Sequence, residues 1–322
     1  MSRHFTGDIG QLIQMPFGLK YHHYLEQNYL PEYLAITIDT RVAPLRKEQI
    51  NNNPSNIITI GDSFSHMEIR GYQNYMTYLS GEKVYNIRVK LGTNQFSVVA
   101  ALINSEIIDS FNCHTIILQI VDREAIEKLS RMDFELLYKA KEAEVTHQTV
   151  NTNKDSDLYN LCAFIRLRIG YENPVLQRNL THKCFTHSYF SRKLFHFHDD
   201  MNFLYTSKTD IDKAVENLIR LNEKVLEKGI NFIFLLAADK YDVYRPFITD
   251  DFLPVDTTTD ELSEILGVCV ISTKPLLQDM VRDGEQDVYM LHDSHWSYKA
   301  SEAVAREIIR HISLINCESA LY

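Results

Sequence analysis

The run Ile57-Ile58-Thr59-Ile60-Gly61-Asp62-Ser63-Phe64-Ser65 contains four β-prone residues that lead directly into a Gly-Asp-Ser turn. The apolar spacing of the residues after it predicts a helix over 66–79. A strand that ends in such a turn places a short polar side chain at the carboxyl edge of a sheet, where open α/β folds bind ligands. On local grounds an ordinary helix cap by Asp62 and Ser63 is the simpler interpretation. A nucleophilic Ser63, aided by the helix N-terminus, requires a base elsewhere in the chain.

Strand-like and helical segments alternate from residue 56 onward. Strand character is found in residues 56–60, 83–89, 114–121, 230–237 and 268–272. Helical apolar spacing is found in residues 66–79, 95–109, 125–141, 210–228, 260–266, 275–281 and 297–312. This alternation predicts an α/β fold with a mostly parallel five-stranded sheet that helices cover on both faces.

Two further segments do not follow this alternation. Residues 1–54 end in a polar run and are expected to be an N-terminal extension packed on the main fold. Residues 143–208 are an irregular insertion rich in aromatic residues and histidines, with one short helix expected at 157–169. Because loops on a fixed scaffold often carry specificity, we interpret the insertion as a lid or an acceptor-binding wall.

The histidines of the insertion suggest a metal site as an alternative. His182 and His187 flank Cys184, and His196 and His198 are two positions apart. Neither group has the ligand spacing of a common zinc site, so we expect no metal and no cofactor. The five cysteines are odd in number and widely spaced, which argues against a disulfide framework and mildly favours a reducing compartment.

The composition argues against several classes of function. The 322 residues carry a net charge of −10, which disfavours binding to nucleic-acid phosphates or to an anionic membrane surface. No run of 18 apolar residues is present, and residues 1–5 lack the apolar core of a signal peptide. We expect a cytoplasmic protein, or an extracytoplasmic one if an anchor precedes this sequence.

A possible base for Ser63 lies before the last predicted helix, in Leu291-His292-Asp293-Ser294-His295-Trp296-Ser297. An aspartate two positions before a histidine can accept the imidazole Nδ1–H, while Nε2 faces a serine hydroxyl. In a doubly wound sheet, loops of this kind converge on one edge. Taken alone, the motif is equally explained by a Ser297 helix cap beside an incidental Asp293 and His295.

Together the two motifs resemble the SGNH (GDSL-type) hydrolase superfamily over residues 55–315, and most closely its alginate O-acetyltransferase (AlgJ/AlgX-like) branch. Val121-Asp122-Arg123 is similar to the Glu-Arg signature of that branch, and Ala238-Asp239-Lys240-Tyr241-Asp242-Val243-Tyr244 is similar to its Pro-x-Lys…Tyr segment. The resemblance implies one catalytic domain with the three-layer α/β/α, flavodoxin-like SGNH fold.

The resemblance also implies roles for individual residues. Ser63 would be the nucleophile, His295 the general base and Asp293 its orienting carboxylate. The usual Gly-x-Asn-Asp block is absent, so the oxyanion hole would use the Ser63 amide with a backbone N–H of Leu91 or Gly92. Four further candidates each have a structural alternative. Arg123 would either stabilise charge in the oxyanion hole or form a structural ion pair. Lys240 and Tyr244 would either line the cleft or anchor the loop after the fourth strand. Trp296 would either stack on a sugar or wedge its loop against the core.

Three functions follow as hypotheses. The first is a serine-dependent O-acyltransferase that moves an acetyl group from acetyl-CoA, or from a membrane partner, to a polysaccharide or glycoconjugate. The second is a carbohydrate O-acetyl esterase with the same triad, in which water replaces the sugar. The third is a non-catalytic carbohydrate-binding protein on a degenerate hydrolase scaffold.

Overall fold

The computed structural model describes residues 36–39, 57–67, 71–89, 94–105, 108–136, 175–250, 253–265, 267–291 and 293–319. The strands are β1 (Ile36–Asp39), β2 (Ile57–Gly61), β3 (Val84–Arg88), β4 (Thr115–Val121), β5 (Val175–Asn179), β6 (Lys193–Phe197), β7 (Asn231–Ala237) and β8 (Cys269–Ser272). The α-helices are α1 (Tyr72–Ser80), α2 (Gln95–Ile103), α3 (Asp122–Ser130), α4 (Lys208–Leu226), α5 (Lys240–Tyr244), α6 (Asp260–Ser263), α7 (Thr273–Arg282) and α8 (Tyr298–Ser319).

Within these ranges, six strands form one parallel sheet in the order β1-β3-β2-β4-β7-β8. The five strands predicted from the sequence are all present, which confirms the three-layer α/β/α fold. The sixth strand corrects the predicted count. It lies in the N-terminal extension, where Ile36 pairs with Tyr85 and Asp39 with Arg88. Four residues at a sheet edge give too short an apolar pattern to be recognised beforehand.

The two faces of the sheet hold separate hydrophobic clusters, as the period-2 alternation of a strand requires. On one face, side chains such as Ile57 and Ile233 pack with α1, α7 and α8. On the other, side chains such as Ile58 and Phe234 pack with α2, α3 and α4. The carboxyl ends of β2, β4, β7 and β8 therefore meet along one edge, and this edge carries the candidate site.

Some predicted helix boundaries are wrong. The helix expected over 66–79 is divided into a 3₁₀ turn, Ser63–His66, and helix α1, which begins only after Gly71. The helix expected over 125–141 ends at Ser130. Phe134 is buried, but it lies in the turn that follows the helix and not in the helix itself. The helix expected at 157–169 lies outside the described residues.

The described part of the insertion is more regular than expected. Strands β5 and β6 form an antiparallel hairpin, in which Val175 pairs with Phe197 and Asn179 with Lys193. A 3₁₀ segment, His198–Tyr205, then leads into α4. Among the described helices, none combines the length and the apolar character that crossing a bilayer would need.

Candidate active site

The Gly-Asp-Ser turn is held in place by Asp62. Its Oδ1 accepts a hydrogen bond from the Phe64 amide (2.9 Å), which caps the 3₁₀ turn. Its Oδ2 accepts one from the Val121 amide at the end of β4 (2.7 Å). One carboxylate thus joins the ends of two neighbouring strands, and it leaves Ser63 exposed at the tip of the turn.

Gly61 is required by close packing beneath this turn. A Cβ atom at Gly61 would lie 2.2 Å from Ser65 Oγ and 2.5 Å from Gln119 Oε1. Ser65 Oγ donates to Gln119 Oε1 (2.8 Å) and lies 3.0 Å from the Tyr72 hydroxyl. The Ser65 carbonyl accepts a hydrogen bond from Asn86 Nδ2 (2.6 Å). Ser65 therefore anchors the turn in the core, while Ser63 faces outward.

Asp293 and His295 form the second half of the site. His295 Nδ1 lies 2.5 Å from Asp293 Oδ1, and the His295 amide donates to the same oxygen across 3.0 Å. Both side chains are partly buried, with 19% of His295 and 14% of Asp293 exposed. Although burial opposes it, the hydrogen bond and charge of His295 lower the pKa of Asp293. Asp293 is thus an ionised acceptor that fixes the tautomer with hydrogen on Nδ1 and leaves Nε2 unprotonated.

Phe64 brings the two halves together. Its ring lies 4.8 Å from the His295 ring and 4.7 Å from the Trp296 ring, measured between centroids. Phe64 follows Ser63 directly, so the turn with the exposed hydroxyl adjoins the loop with the histidine. Trp296 is completely buried and also meets Tyr72 edge-on at 6.4 Å. The burial of Trp296 agrees with the interpretation that it wedges its loop against the core. It leaves no face of the ring to stack on a sugar.

Lys240 supports the histidine loop from below. Its ammonium donates hydrogen bonds to the carbonyl oxygens of Met290 (2.7 Å), Leu291 (2.9 Å) and Asp293 (3.0 Å). The residue is only 1% exposed, so it does not line an open cleft as one interpretation expected. It does anchor a loop, but the loop is the one that carries Asp293. A buried ammonium needs such acceptors, because its charge is costly to bury without them.

Tyr244, one turn after Lys240 in α5, holds the segment that leads into the same loop. Its buried hydroxyl accepts a hydrogen bond from the Tyr289 amide (3.1 Å). The Tyr289 hydroxyl in turn donates to the Ala238 carbonyl (2.5 Å), and Tyr289 pairs with Trp296 in an antiparallel bridge. Tyr244 is therefore a structural support and does not line the cleft.

Arg123 forms ion pairs within the fold. Its guanidinium contacts the carboxylates of Asp239 and Asp200, and its amide donates to Asp239 Oδ2 (2.9 Å). The charge-stabilising role is disfavoured, because these two buried acids already engage the cation. The other predicted contributors to the oxyanion hole, Leu91 and Gly92, lie outside the described residues.

One group at this edge of the sheet was not predicted from the sequence. Asp122, Asp242 and Asp256 are buried side by side, although they come from three separate elements. Burial, followed by the charges of Asp256 and Asp239, raises the pKa of Asp122 to about 8. The available signal was that Asp122 directly follows the apolar strand β4 and that Asp242 lies within five positions of the end of β7.

The histidines of the insertion have local partners. His187 stacks on Phe190 with 5.0 Å between ring centroids. The buried His196 places Nδ1 2.8 Å from the Phe197 carbonyl oxygen. Within the described ranges, the aspartate cluster is the group whose geometry suits a metal ion, and it contains no histidine.

Comparison with known proteins gives no family assignment. The chain matches no protein-family model, and it matches no curated protein. Function must therefore be argued from the geometry of the site itself.

Proposed function

We propose that the protein is a serine-dependent O-acyltransferase that acetylates a polysaccharide or glycoconjugate through an acyl-serine intermediate. One arrangement carries this proposal. The ionised Asp293 orients His295 from 2.5 Å, and the His295 ring packs on Phe64, the residue next to the exposed Ser63. These are the parts of a triad in which each group has a separate role.

In the proposed reaction, His295 Nε2 takes the proton of Ser63 as the serine oxygen attacks the acyl carbonyl of the donor. Collapse of the tetrahedral intermediate expels the donor's leaving group, which receives that proton from His295. A sugar hydroxyl then attacks the acyl-serine, and His295 takes the proton of that hydroxyl. His295 passes this proton to the Ser63 oxygen as it leaves, which restores the free serine. The backbone N–H of Ser63, together with that of Leu91 or Gly92, would stabilise the oxyanion.

The described part of the insertion supports a carbohydrate acceptor, because it borders the histidine loop. Leu291, two positions before Asp293, packs against the aromatic cluster of the β5–β6 hairpin. Thr186 also donates a hydrogen bond to Asp287 Oδ2 (2.6 Å). The hairpin and its neighbouring segment present Tyr189 and Tyr205, which are 85% and 79% exposed. Exposed tyrosines combine an apolar ring with a polar hydroxyl, as a sugar-binding wall requires.

An esterase that uses the same triad is the second candidate. The observation that favours it is the exposure of Ser63, because an acyl group on this side chain is open to water. Transfer requires that a bound sugar reaches the acyl-enzyme faster than water does.

The partition of the acyl group between sugar and water tests the proposal. The protein would be mixed with p-nitrophenyl acetate, with and without acetyl-free oligosaccharides, and acetylated sugar and free acetate would be quantified. An acyltransferase gives acetylated sugar at the expense of acetate, and Ser63→Ala gives neither above background. If saturating oligosaccharide diverts no acetyl group, the esterase is the better description. If Ser63→Ala equals wild type, both enzymatic functions are wrong and the non-catalytic binding protein is favoured.

A further inference from the structure

Three aspartates meet at the carboxyl edge of the sheet, and none of them belongs to the Asp293–His295 pair. Asp122 is the first residue of α3, Asp242 lies within α5, and Asp256 lies in the loop before α6. One carboxylate oxygen from each lies within 4.8 Å of the other two. The three residues are between 2% and 3% exposed, so little water reaches their carboxyl groups.

The hydrogen bonds around these carboxylates are incomplete. Asp256 Oδ1 accepts from the Thr258 amide (2.8 Å) and hydroxyl (2.7 Å), which fixes the orientation of that carboxylate. In contrast, Asp122 Oδ1 and Asp242 Oδ2 are buried without a hydrogen-bond donor. Native proteins rarely leave buried carboxylate oxygens in this state, because each has lost its water without compensation. These two oxygens therefore indicate a missing positive partner.

The charged groups around the cluster also indicate that a positive partner is missing. Lys274 lies beside the cluster, where its ammonium donates to the carbonyl oxygen of Asp256 (2.6 Å). This side chain brings one positive charge to three carboxylates. A bound divalent cation would add the positive charge that lets all three carboxyl groups ionise together.

A cleft gives access to the cluster from the surface. Its volume is about 560 Å³, and Asp242, Asp256 and Lys274 are among the residues that line it. Asp122 does not line the cleft, so an ion from this side would meet Asp242 and Asp256 first, and the cleft has room for the water molecules that would complete its coordination shell.

We propose that Asp122, Asp242 and Asp256 bind one hard divalent cation, for which Ca²⁺ has the best-matched size. Carboxylate oxygens are the ligands that such cations prefer. Three oxygens that lie within 4.8 Å of one another are all within about 2.8 Å of a common centre, so small side-chain shifts bring them to Ca–O distances of about 2.4 Å. Asp242 lies on α5 between Lys240 and Tyr244, so the bound ion would also fix the helix that supports the histidine loop.

Calorimetric titration of the chelator-stripped full chain with CaCl₂, and separately with MgCl₂, tests this site. We expect one ion per chain and a higher Tm when the ion is present. Asp122→Asn and Asp242→Asn should each weaken binding by at least about tenfold, because each removes one charged ligand. Both variants relieve repulsion between buried charges, so we expect them to fold and to show a Tm no lower than that of ion-free wild type.

Two control variants separate this proposal from others. Asp260→Asn changes an exposed acid that lines the same cleft outside the cluster, and it should bind the ion like wild type. Ser63→Ala should also bind it normally, so failure of the proposed acyl transfer would leave this result unchanged. The proposal is overturned if wild type binds neither ion up to about 10 mM, beyond the weakest protein calcium sites. It is also overturned if both aspartate variants bind as wild type does.

Discussion

The ammonium of Lys240 donates a hydrogen bond across 3.0 Å to the carbonyl oxygen of Asp293, the residue whose carboxylate orients His295. A lysine buried at the start of α5 thereby holds the backbone of a loop that is 53 positions away in the chain. The loop is not held by its own hydrogen bonds alone, because α5 fixes it through both Lys240 and Tyr244.

Replacement of this lysine should therefore damage stability and activity together. Lys240→Met keeps most of the side-chain volume but leaves three carbonyl oxygens without their donor, at an expected cost of about 3 kcal/mol in the free energy of unfolding. Urea denaturation measures the loss, and the rate of Ser63 acylation should fall in parallel. Lys208→Met, which changes an exposed lysine, should alter stability by less than about 1 kcal/mol. Equal effects of the two variants would contradict the positioning role.

Asp293→Asn tests the orientation of the histidine. An asparagine can keep a hydrogen bond to Nδ1, but it no longer stabilises the imidazolium and permits the wrong tautomer. We expect the acylation rate to fall by about 10³–10⁴-fold, with little change in the fold as judged by circular dichroism. Asp287→Asn is the matched control, because this acid lies nearby in the chain and contacts Thr186 instead. A fall of less than about tenfold would show that the pair is not catalytic.

Gly61→Ala tests the packing below the Gly-Asp-Ser turn. The added methyl group would collide with Ser65 Oγ and Gln119 Oε1, both of which are held by hydrogen bonds in the core. Such overpacking is expected to reduce the free energy of unfolding by about 1–3 kcal/mol. Ser65→Ala removes one hydroxyl and adds no atom, so it separates loss of the hydrogen bond from steric strain. A Gly61→Ala variant as stable as wild type would show that the turn tolerates a Cβ here.

His196 should make the protein sensitive to acid. Burial lowers its pKa to about 3, despite the opposing hydrogen bond to Phe197. The unfolded chain binds this proton near pH 6.5, so the stabilisation is complete above that pH and is lost as the pH falls toward 3. Asp200 lies next to His196, with its Oδ2 3.7 Å from the His196 Nδ1. The other charged or titratable groups around His196 are Arg178, Lys240 and His198.

The corresponding variant is His196→Gln, which cannot take up the proton. When the pH is lowered from 7 to 5, the free energy of unfolding should fall by about 2 kcal/mol less in this variant than in wild type. Urea titration at each pH measures both falls. His182→Gln, at a part-exposed histidine, should follow the wild-type curve. Parallel curves for His196→Gln and wild type would mean that another group accounts for the acid sensitivity.

The sequence was sufficient to predict much of the fold. Apolar runs such as 114–121 predict buried parallel strands, because each face of the sheet needs its own apolar residues. Strand β1 was missed, since four residues at an edge carry little periodicity. The break before α1 was also missed, because Gly71 interrupts a helical pattern that continues on both sides.

The chemically distinctive residues of the candidate site can be proposed from the sequence more readily than the residues that support them. Ser63, Asp293 and His295 belong to local motifs that a single sequence can show. The contacts of Lys240 with Asp293, and of Asp122 with Asp242 and Asp256, join residues that are distant in the chain. Spacing cannot predict such pairs, because they depend on how α5 and the loops turn after each strand ends. Arg123 remained ambiguous for the same reason, since its ion-pair partners Asp239 and Asp200 are both remote.

The acylation of Ser63 tests the central claim most directly. The protein would be incubated briefly with p-nitrophenyl acetate, quenched in acid, and analysed by intact-mass and peptide mass spectrometry. We predict one acetyl group per chain, located on Ser63, in wild type and none in Ser63→Ala, with strongly slowed labelling in His295→Ala. Equal labelling of wild type and Ser63→Ala, or labelling confined to lysines, would contradict the claim that Ser63 is the nucleophile.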